Sequence, residues 1–285
     1  MSISMKPKFI CALPDPVVNG QKCTSVAGIC NHGNTAFIVK SLGSSSDNKY
    51  YPFAILKVSK FSSKPKVTTI NVKNVKAKHA NSITYARADG ASKGSLFVTT
   101  SNPKTKTQVY KLSTSGKVEK ELLYYGPDGQ KSTISLISYY GMVDGRMMFI
   151  TNGNAKDGRK RYNLTSFDGE KLMFYKALFT GENTDSDSYT NNDFTYQDGK
   201  LYHTFFKKSK GIVKYNRIYV YDVVGAANYE IRNASMIIKA NATKDYDKCY
   251  EVEGVVLRDN KLYSANNLAS SKADKNKDAV LRLAE

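Results

Sequence analysis

Short apolar runs separated by polar turns recur along this chain at a nearly fixed spacing. The clearest repeated element is a short strand-like run rich in Tyr, Leu and Val, which occurs at residues 54–58, 108–112, 162–166, 217–223 and 279–283. The first three runs begin 54 residues apart, and the later gaps are slightly longer. A period of this length predicts a repeated supersecondary unit.

Each of these runs is preceded by two apolar segments joined by a polar turn. The joining dipeptides Asp-Gly at 144–145 and 198–199 and Asp-Asn at 259–260 are typical of tight hairpins. Apolar and polar residues alternate with period 2 in 200–206 and 217–223, and no segment has the pattern of a long amphipathic helix. The pattern therefore predicts an all-β chain.

A further strand follows the repeated run in four of the five units, at 66–72, 119–126, 171–179 and 234–240. The fifth unit ends before such a strand, whereas residues 6–13 form an unassigned one. We therefore predict a single domain, 1–285, folded as a five-bladed β-propeller with four antiparallel strands per blade and with the N-terminal strand closing the last blade. The predicted blades span about 21–74, 75–128, 129–182, 183–243 and 244–285 plus 5–14. A β-sandwich or two stacked sheets is the alternative.

The formal net charge is +18, from 43 Lys and Arg against 25 Asp and Glu. Such a charge favours polyanionic partners such as nucleic acid, an anionic cell-wall polymer or a membrane surface, although it also serves solubility alone. The basic residues are scattered and form no recognition helix, so we expect no sequence-specific nucleic acid. The apolar runs are too short to cross a membrane.

The first residues have no signal-peptide core. We expect a protein that is secreted or released extracellularly without an evident signal peptide, with a cytoplasmic location as the alternative. We also expect a monomer.

In a propeller, the loops that enter the innermost strands gather at one mouth of the central channel. Aligning the five units places a polar cluster there, made of His79, Asn81, Asn192, Asp193 and Glu253, and Glu251 lies slightly further upstream in the fifth unit. The oxygens of Asn81, Asn192, Asp193 and Glu253 could hold calcium or another divalent cation. Alternatively, His79 with a carboxylate could act as acid and base or bind a transition metal. The cluster could also be a purely structural network with trapped water.

The remaining histidines and the cysteines have weaker signals. We expect His32 and His203 to be turn or strand residues rather than ligands. Cys23 and Cys249 occupy equivalent positions in the first and last units. They could form a disulfide, or they could be free thiols exposed near the mouth.

Two segments, 78–100 and 250–267, carry a family resemblance. The sequence resembles the propellers of helveticin-type large bacteriocins and of teichoic-acid-associated, phage receptor-binding proteins, in which one blade opens with H-A-N-D/G-x-x-Y and a later one with E-x-E-G-(I/V). The matching residues are His79, Ala80, Asn81, Tyr85, Glu251, Glu253 and Gly254, whereas Ser82 departs from the pattern. The resemblance implies a five-bladed propeller that recognises a bacterial surface glycan, and it adds Tyr85 to the ligand-binding residues.

These observations predict a bacteriocin-like, non-catalytic binding propeller. It would recognise an anionic bacterial cell-surface glycopolymer through the channel mouth or a basic face, with no catalytic residues. One alternative is a lactonase-like or arylesterase-like hydrolase that depends on a cation in the central channel. Another alternative is a scaffold for protein interactions.

Overall fold

Strands make up nearly all of the regular structure in the computed structural model. The structure describes residues 1–42, 52–72, 75, 77, 79–101, 108–155, 157–182 and 189–285. Within this part of the chain the single helical element is the short 3-10 turn Ala273–Lys275, and no helix is long and apolar enough to span a membrane. The prediction of an all-β propeller is confirmed.

Five sheets contain four or more strands each, and their strands are numbered here in chain order. The first sheet holds β5 Ser25–His32, β6 Thr35–Ser41, β7 Phe53–Ser59 and β8 Lys66–Asn71. The second holds β9 His79–Ala86, β10 Ser95–Ser101, β11 Gln108–Ser113 and β12 Val118–Leu122. The third is built on β15 Ile137–Val143, β16 Arg146–Asn154, β17 Lys160–Phe167 and β18 Leu172–Gly181.

The last two sheets include strands from the beginning of the chain. The fourth sheet holds β19 Thr190–Gln197, β20 Lys200–Ser209, β21 Ile212–Asp222, β23 Met236–Lys239 and β1 Ser2–Ser4. The fifth holds β24 Cys249–Arg258, β25 Lys261–Ala269, β26 Ala279–Ala284 and β2 Lys6–Ala12. A separate two-stranded ribbon pairs β3 Val17–Val18 with β4 Gln21–Lys22.

The tight turns between inner strands form as their sequences predict. Asp144, Gly145, Asp198 and Gly199 all have positive φ, as a two-residue hairpin turn of this type requires. Asp259 and Asn260 adopt the same conformation in the fifth sheet. These turns fix the pairing of β15 with β16, of β19 with β20 and of β24 with β25.

The hydrophobic core consists mainly of five clusters, one at each junction between neighbouring sheets. The junctions run from the first sheet to the second, then to the third, fourth and fifth, and from the fifth back to the first. The innermost strands contact each other in the same cyclic order, β5, β9, β15, β19, β24 and again β5. The sheets therefore surround one central axis.

The N-terminal strand completes the sheet formed by the last residues of the chain, as predicted, because β2 pairs antiparallel with β26. The residues before it were not predicted as a strand. They form β1, which pairs parallel with β23 in the fourth sheet. The first twelve residues thus join two neighbouring sheets.

The predicted outer strand 119–126 is divided between two sheets. Its first part is β12, and its last part forms β13 Tyr124–Tyr125, which pairs with β18 in the third sheet and with β14 Lys131–Ser132. Tyr124 is buried in the core between these two sheets, which holds the crossing chain in place. A short strand, β22 Glu230–Arg232, lies in the chain between two strands of the fourth sheet, β21 and β23. It pairs parallel with β18 and so joins the third sheet.

A fully buried lysine connects the two ends of the chain. Lys40 on β6 is 0% exposed, and its Nζ lies 2.6 Å from Asp15 and 2.8 Å from Asp278. Because a buried ammonium is tolerated only when it is paired, both carboxylates are held against the first sheet. Asp15 follows β2 and Asp278 precedes β26, so this triad fastens both terminal segments.

All four cysteines are free thiols. Cys23 is buried with Sγ 3.7 Å from the carbonyl oxygen of Pro52, and the Sγ of Cys249 lies 3.7 Å from that of Asn267. The disulfide left open in the sequence analysis does not form.

Candidate functional site

Four of the five innermost strands carry a β-bulge at their N-terminal ends. The pairing with the second strand slips around Ala27 in β5, Asn81 in β9, Asn192–Asp193 in β19 and Glu253 in β24. A bulge interrupts the alternation of side chains, so that residues near it can turn toward the same side. The predicted polar residues of the channel mouth are mostly these bulge residues.

Asp193 lies at the centre of the ring and is 1% exposed. Its Oδ1 lies 2.6 Å from Ser82 Oγ on β9 and accepts a hydrogen bond from the amide of Phe194 at 2.8 Å. Ser82 Oγ in turn accepts a hydrogen bond from the amide of Ile137 on β15 at 3.2 Å. One carboxyl group thus connects three inner strands.

The other oxygen of this carboxyl faces the remaining two inner strands. A Cβ added to Gly28 on β5 would lie 2.6 Å from Asp193 Oδ2, and one added to Gly254 on β24 would lie 3.3 Å from it. Glycine at these two positions leaves the space that the carboxyl group fills. All five inner strands therefore meet around Asp193.

Burial raises the pKa of Asp193 well above its ordinary value. The hydrogen bonds from Ser82 and from the amides of Phe194 and Ile29 lower this pKa but do not outweigh the loss of solvation. The carboxyl group consequently keeps its proton far above the pH at which an exposed aspartate loses it.

Two further carboxyl groups lie at the N-terminal mouth of the channel, on β24. The bulge at Glu253 allows Glu251 and Glu253 to share one partner, Asn267 on the second strand β25. The Nδ2 of Asn267 donates to Glu253, and its Oδ1 accepts a hydrogen bond from the amide of Val26 at 2.8 Å. Asn267 thus fixes the glutamate pair against the neighbouring first sheet.

The two glutamates have different environments. Glu253 is 9% exposed, and burial raises its pKa well above the ordinary value, with Glu251 and Asp193 adding to the increase through like charge. Glu251 is half-buried; burial raises its pKa also, whereas hydrogen bonds from Asn192 and Asn267 and the charge of Lys208 lower it. When both groups titrate, we expect Glu251 to lose its proton first.

Asn192 connects the fourth and fifth sheets at this mouth. Its Nδ2 donates to the carbonyl oxygen of Val252 at 3.1 Å, and its side chain also contacts Glu251. Asn81 is half-buried at the bulge of β9. Asn192 and the two glutamates therefore form one polar surface.

His79 occupies the beginning of β9, on the side of the first sheet. Its Nδ1 lies 3.0 Å from Ser41 Oγ, and burial lowers the pKa of its imidazole, so the ring is neutral at pH 7. No hydrogen bond joins it to Asp193 or Glu253 in the described part of the chain. The structure thus gives no acid–base pair between His79 and a carboxylate.

Tyr85 does not join the mouth in which the family resemblance placed it. It lies four residues beyond Asn81 on the same strand, about 13 Å along an extended chain. Its ring stacks on His32 at the opposite end of the channel, with ring centroids 4.3 Å apart. The grouping of Tyr85 with the polar cluster is therefore corrected.

The predicted cation ligands are two carboxyl groups and two amide groups with different contacts. Among the residues that the structure describes, no group of three or more His, Cys, Asp or Glu side chains could hold a metal ion. Asp193 Oδ1 is engaged by Ser82 and Phe194, and the amide of Asn192 is engaged by Val252. This search does not count asparagine, so the cation site at Asn81, Asn192, Asp193 and Glu253 stays a prediction.

Sequence reasoning missed Asn267, which holds the glutamate pair together. Counting back from the predicted turn at 259–260 with regular pairing places Asn267 opposite Val252, and only the bulge at Glu253 brings it opposite Glu251. The predicted site residues all lie on innermost strands, whereas Asn267 lies on the second strand of its sheet, β25.

No protein-family model matches this chain, and no curated protein matches its sequence. Solved structures share its fold. An α-L-arabinofuranosidase from Podospora anserina in complex with cellotriose is 9% identical, with a TM-score of 0.56 over 98% of this chain and 96% of that one. A GH43 β-xylosidase/α-arabinofuranosidase from a compost metagenome is 12% identical, with a TM-score of 0.53 over 97% and 94%. A GH43 β-1,3-galactosidase is 8% identical, with a TM-score of 0.53 over 96% and 94%.

This finding contradicts the predicted bacteriocin-like, non-catalytic binding propeller. The three structures described above, which share this fold along nearly the whole chain, carry the names of a galactosidase, a xylosidase/arabinofuranosidase and an arabinofuranosidase. None of these three structures is named as a lactonase or an arylesterase, the activities of the alternative hydrolase. The resemblance to helveticin-type propellers stays a prediction, since none of these similarities tests it.

We predict that Gly28→Ala destabilises the protein, because the new Cβ would overlap with Asp193 Oδ2. Overpacking of this kind costs about 1–3 kcal/mol. Gly153→Ala in β16 is the matched control, since the nearest atom to a Cβ there lies at 3.6 Å. Urea unfolding should show a large decrease in the free energy of unfolding for Gly28→Ala and a small change for Gly153→Ala. Equal stability of the two variants would contradict the account of Asp193.

We also predict that Glu253→Gln changes the pH dependence of stability. Because the folded-state pKa of Glu253 is raised, the folded protein binds this proton more tightly than the unfolded chain does. The contribution of Glu253 to the free energy of unfolding is thus fully present below the unfolded-state pKa, near 4.5. It is lost as the pH rises toward the folded-state pKa, at up to about 1.4 kcal/mol per pH unit. Urea unfolding should show that the free energy of unfolding of the variant, relative to that of the wild-type protein, increases from pH 5 to pH 8. Parallel curves would show that the pKa is not raised.

Proposed function

We propose that this chain is a carbohydrate-active enzyme that hydrolyses a glycosidic bond at the N-terminal mouth of its channel. The observation that carries the proposal is the pair Glu251 and Glu253, which share Asn267 and differ in burial. Glycoside hydrolysis needs two carboxyl groups in different protonation states on the two sides of the scissile bond.

The environments of the two glutamates assign their roles. Glu253, the more buried group, keeps its proton and donates it to the oxygen of the leaving sugar as the glycosidic bond breaks. Glu251, the more exposed group, acts as the carboxylate. It either takes a proton from the attacking water or attacks the anomeric carbon itself, after which water releases the sugar. In both routes water supplies the new hydroxyl group, and the net reaction is hydrolysis.

The surrounding side chains would position the sugar. Asn81 and Asn192 offer amide donors and acceptors at the same mouth, and both are partly exposed. Lys208 lies close enough to Glu251 to lower its pKa, which favours the ionised form that the mechanism needs. The partner is thus a glycan. The names of the similar structures, which include arabinofuranosidase, xylosidase and galactosidase, support this class.

The architecture that we propose for this enzyme is a closed ring of five blades. Five sheets of four or more strands and five core clusters in cyclic order support this number. Asp193 would act as a positioning residue, because it holds β19 and β24 at the distance that brings Asn192 to Glu251.

The test compares Glu251→Gln and Glu253→Gln with the wild-type protein on nitrophenyl glycosides of arabinofuranose, xylose and galactose and on the matching disaccharides. We expect Glu251→Gln to lose activity on both kinds of substrate by a factor of about 10² to 10⁴. Glu253→Gln should lose much more activity on disaccharides than on nitrophenyl glycosides, because nitrophenol leaves without a proton donor.

Glu119→Gln is the matched control, since Glu119 is a carboxylate on an outer strand that pairs with Lys111. It should retain wild-type rates. Wild-type activity in either channel variant, or no hydrolysis by the wild-type protein across the panel, would contradict the proposed function.

A further inference from the structure

A second concave surface lies at the other end of the channel, at the C-terminal ends of the inner strands. A cavity of about 300 Å³ is lined by residues of all five inner strands, and a neighbouring cavity of about 550 Å³ shares Asn31, His32, Tyr85 and Tyr139 with it. Asp193 and the residues around it separate this end from the glutamate pair. We call this surface the aromatic rim and define it by His32, Tyr85, Tyr139, Tyr196 and Arg258.

The aromatic rim is closed by contacts between successive inner strands. The amide of Tyr139 donates to Thr84 Oγ1 at 2.9 Å, and the amide of Tyr196 donates to Ser138 Oγ at 2.8 Å. Gln197 makes two hydrogen bonds of 3.3 Å with the backbone of Leu257, which also accepts from Asn31 at 3.2 Å. The stack of His32 on Tyr85 completes the ring. Each inner strand of the rim is thus joined to the next by at least one contact.

Polar hydrogens remain available inside this rim. Thr84 and Ser138 are 5% and 4% exposed, line the cavity and accept hydrogen bonds from the backbone. A hydroxyl group that accepts a hydrogen bond still has its own proton to donate. Gln197 has a second amide proton, and Arg258 contributes a guanidinium beside Asp259. The cavity therefore favours a ligand rich in oxygen acceptors.

The aromatic side chains provide a platform. Tyr85 lies between His32 and Phe37, with the rings nearly parallel to each other, and His32 is exposed. One face of the imidazole is covered by Tyr85, so its other face is presented to solvent at a fixed angle. Such a face packs against the C–H side of a sugar ring, whose hydroxyl groups would meet Thr84, Ser138 and Gln197.

We propose that the aromatic rim is a second, non-catalytic saccharide-binding site. The site stands on the geometry above, whereas the choice of a saccharide as ligand rests on the proposed function. The other mouth holds the carboxyl pair, so one propeller would hold a glycan at two separate places.

His32 itself is the reporter for the test. The chain has three histidines, and the other two, His79 and His203, lie at partly buried and buried positions. Proton NMR of the full chain, with Glu251→Gln to prevent turnover, would follow the imidazole C–H signals during titration with cellotriose, xylotriose and galactobiose. His32→Ala identifies the signal of His32.

We expect one saccharide to shift the His32 signal saturably while the signal of His203, which is fully buried, stays in place. Calorimetry should show that His32→Ala, with fold confirmed by near-ultraviolet circular dichroism, weakens binding at this site about tenfold. Tyr215→Ala, which removes an exposed ring from β21, is the matched control and should bind as the parent protein does.

The outcomes separate the two proposals. A His32 signal that responds to none of the saccharides overturns the second site, whether or not the enzyme is active. A response of His32 in a protein that hydrolyses no glycoside keeps the second site and rejects the proposed function. Unchanged affinity in His32→Ala also overturns the second site.

Discussion

A single buried carboxyl group at the axis of the ring constrains the rest of the structure. Asp193 contacts Ser82 directly and reaches Ile137 through it, and it fills the space left by Gly28 and Gly254. Burial of an acid is unfavourable, and here the hydrogen bonds to Oδ1 and the retained proton reduce its cost. The inner strands must therefore approach the axis at one fixed level. This level divides the channel into two mouths.

The two ends of the same strands have different chemistry because of where the bulges fall. At the N-terminal mouth, bulges in four strands turn consecutive residues toward one another, and carboxyl and amide groups collect there. At the other end the strands are regular except for a bulge in β15, and they present hydroxyl groups and aromatic rings. A carboxyl pair of unequal burial suits bond cleavage, whereas a concave surface of aromatic rings and hydroxyl groups suits binding.

Much of this architecture could be predicted from the sequence because it depends on local signals. The Asp-Gly turns, the period of about 54 residues and the unassigned strand at 6–13 each specify a pairing that the structure contains. Asn81, Asn192 and Glu253 could be placed at one level because the repeated units align. Tyr85 was misplaced because a sequence motif does not say which end of a strand a side chain occupies. Asn267 was missed because its role depends on pairing between two strands.

The function could not be predicted in the same way. The net charge of +18 suggested a polyanionic partner, but net charge acts at long range and says little about the chemistry of a site. Nor does the fold itself fix an activity. What distinguishes this mouth is the unequal environment of two glutamates, and burial of that kind becomes visible only once the sheets are assembled around Asp193.

The most direct measurement is a crystal structure of the Glu251→Gln protein soaked with xylotriose. We predict a saccharide in the N-terminal mouth, with a glycosidic oxygen within hydrogen-bond distance of the Glu253 carboxyl group and with Asn192 against a neighbouring hydroxyl. A mouth that stays free of sugar at saturating concentration, or a sugar whose glycosidic oxygen lies far from both glutamate positions, would contradict it.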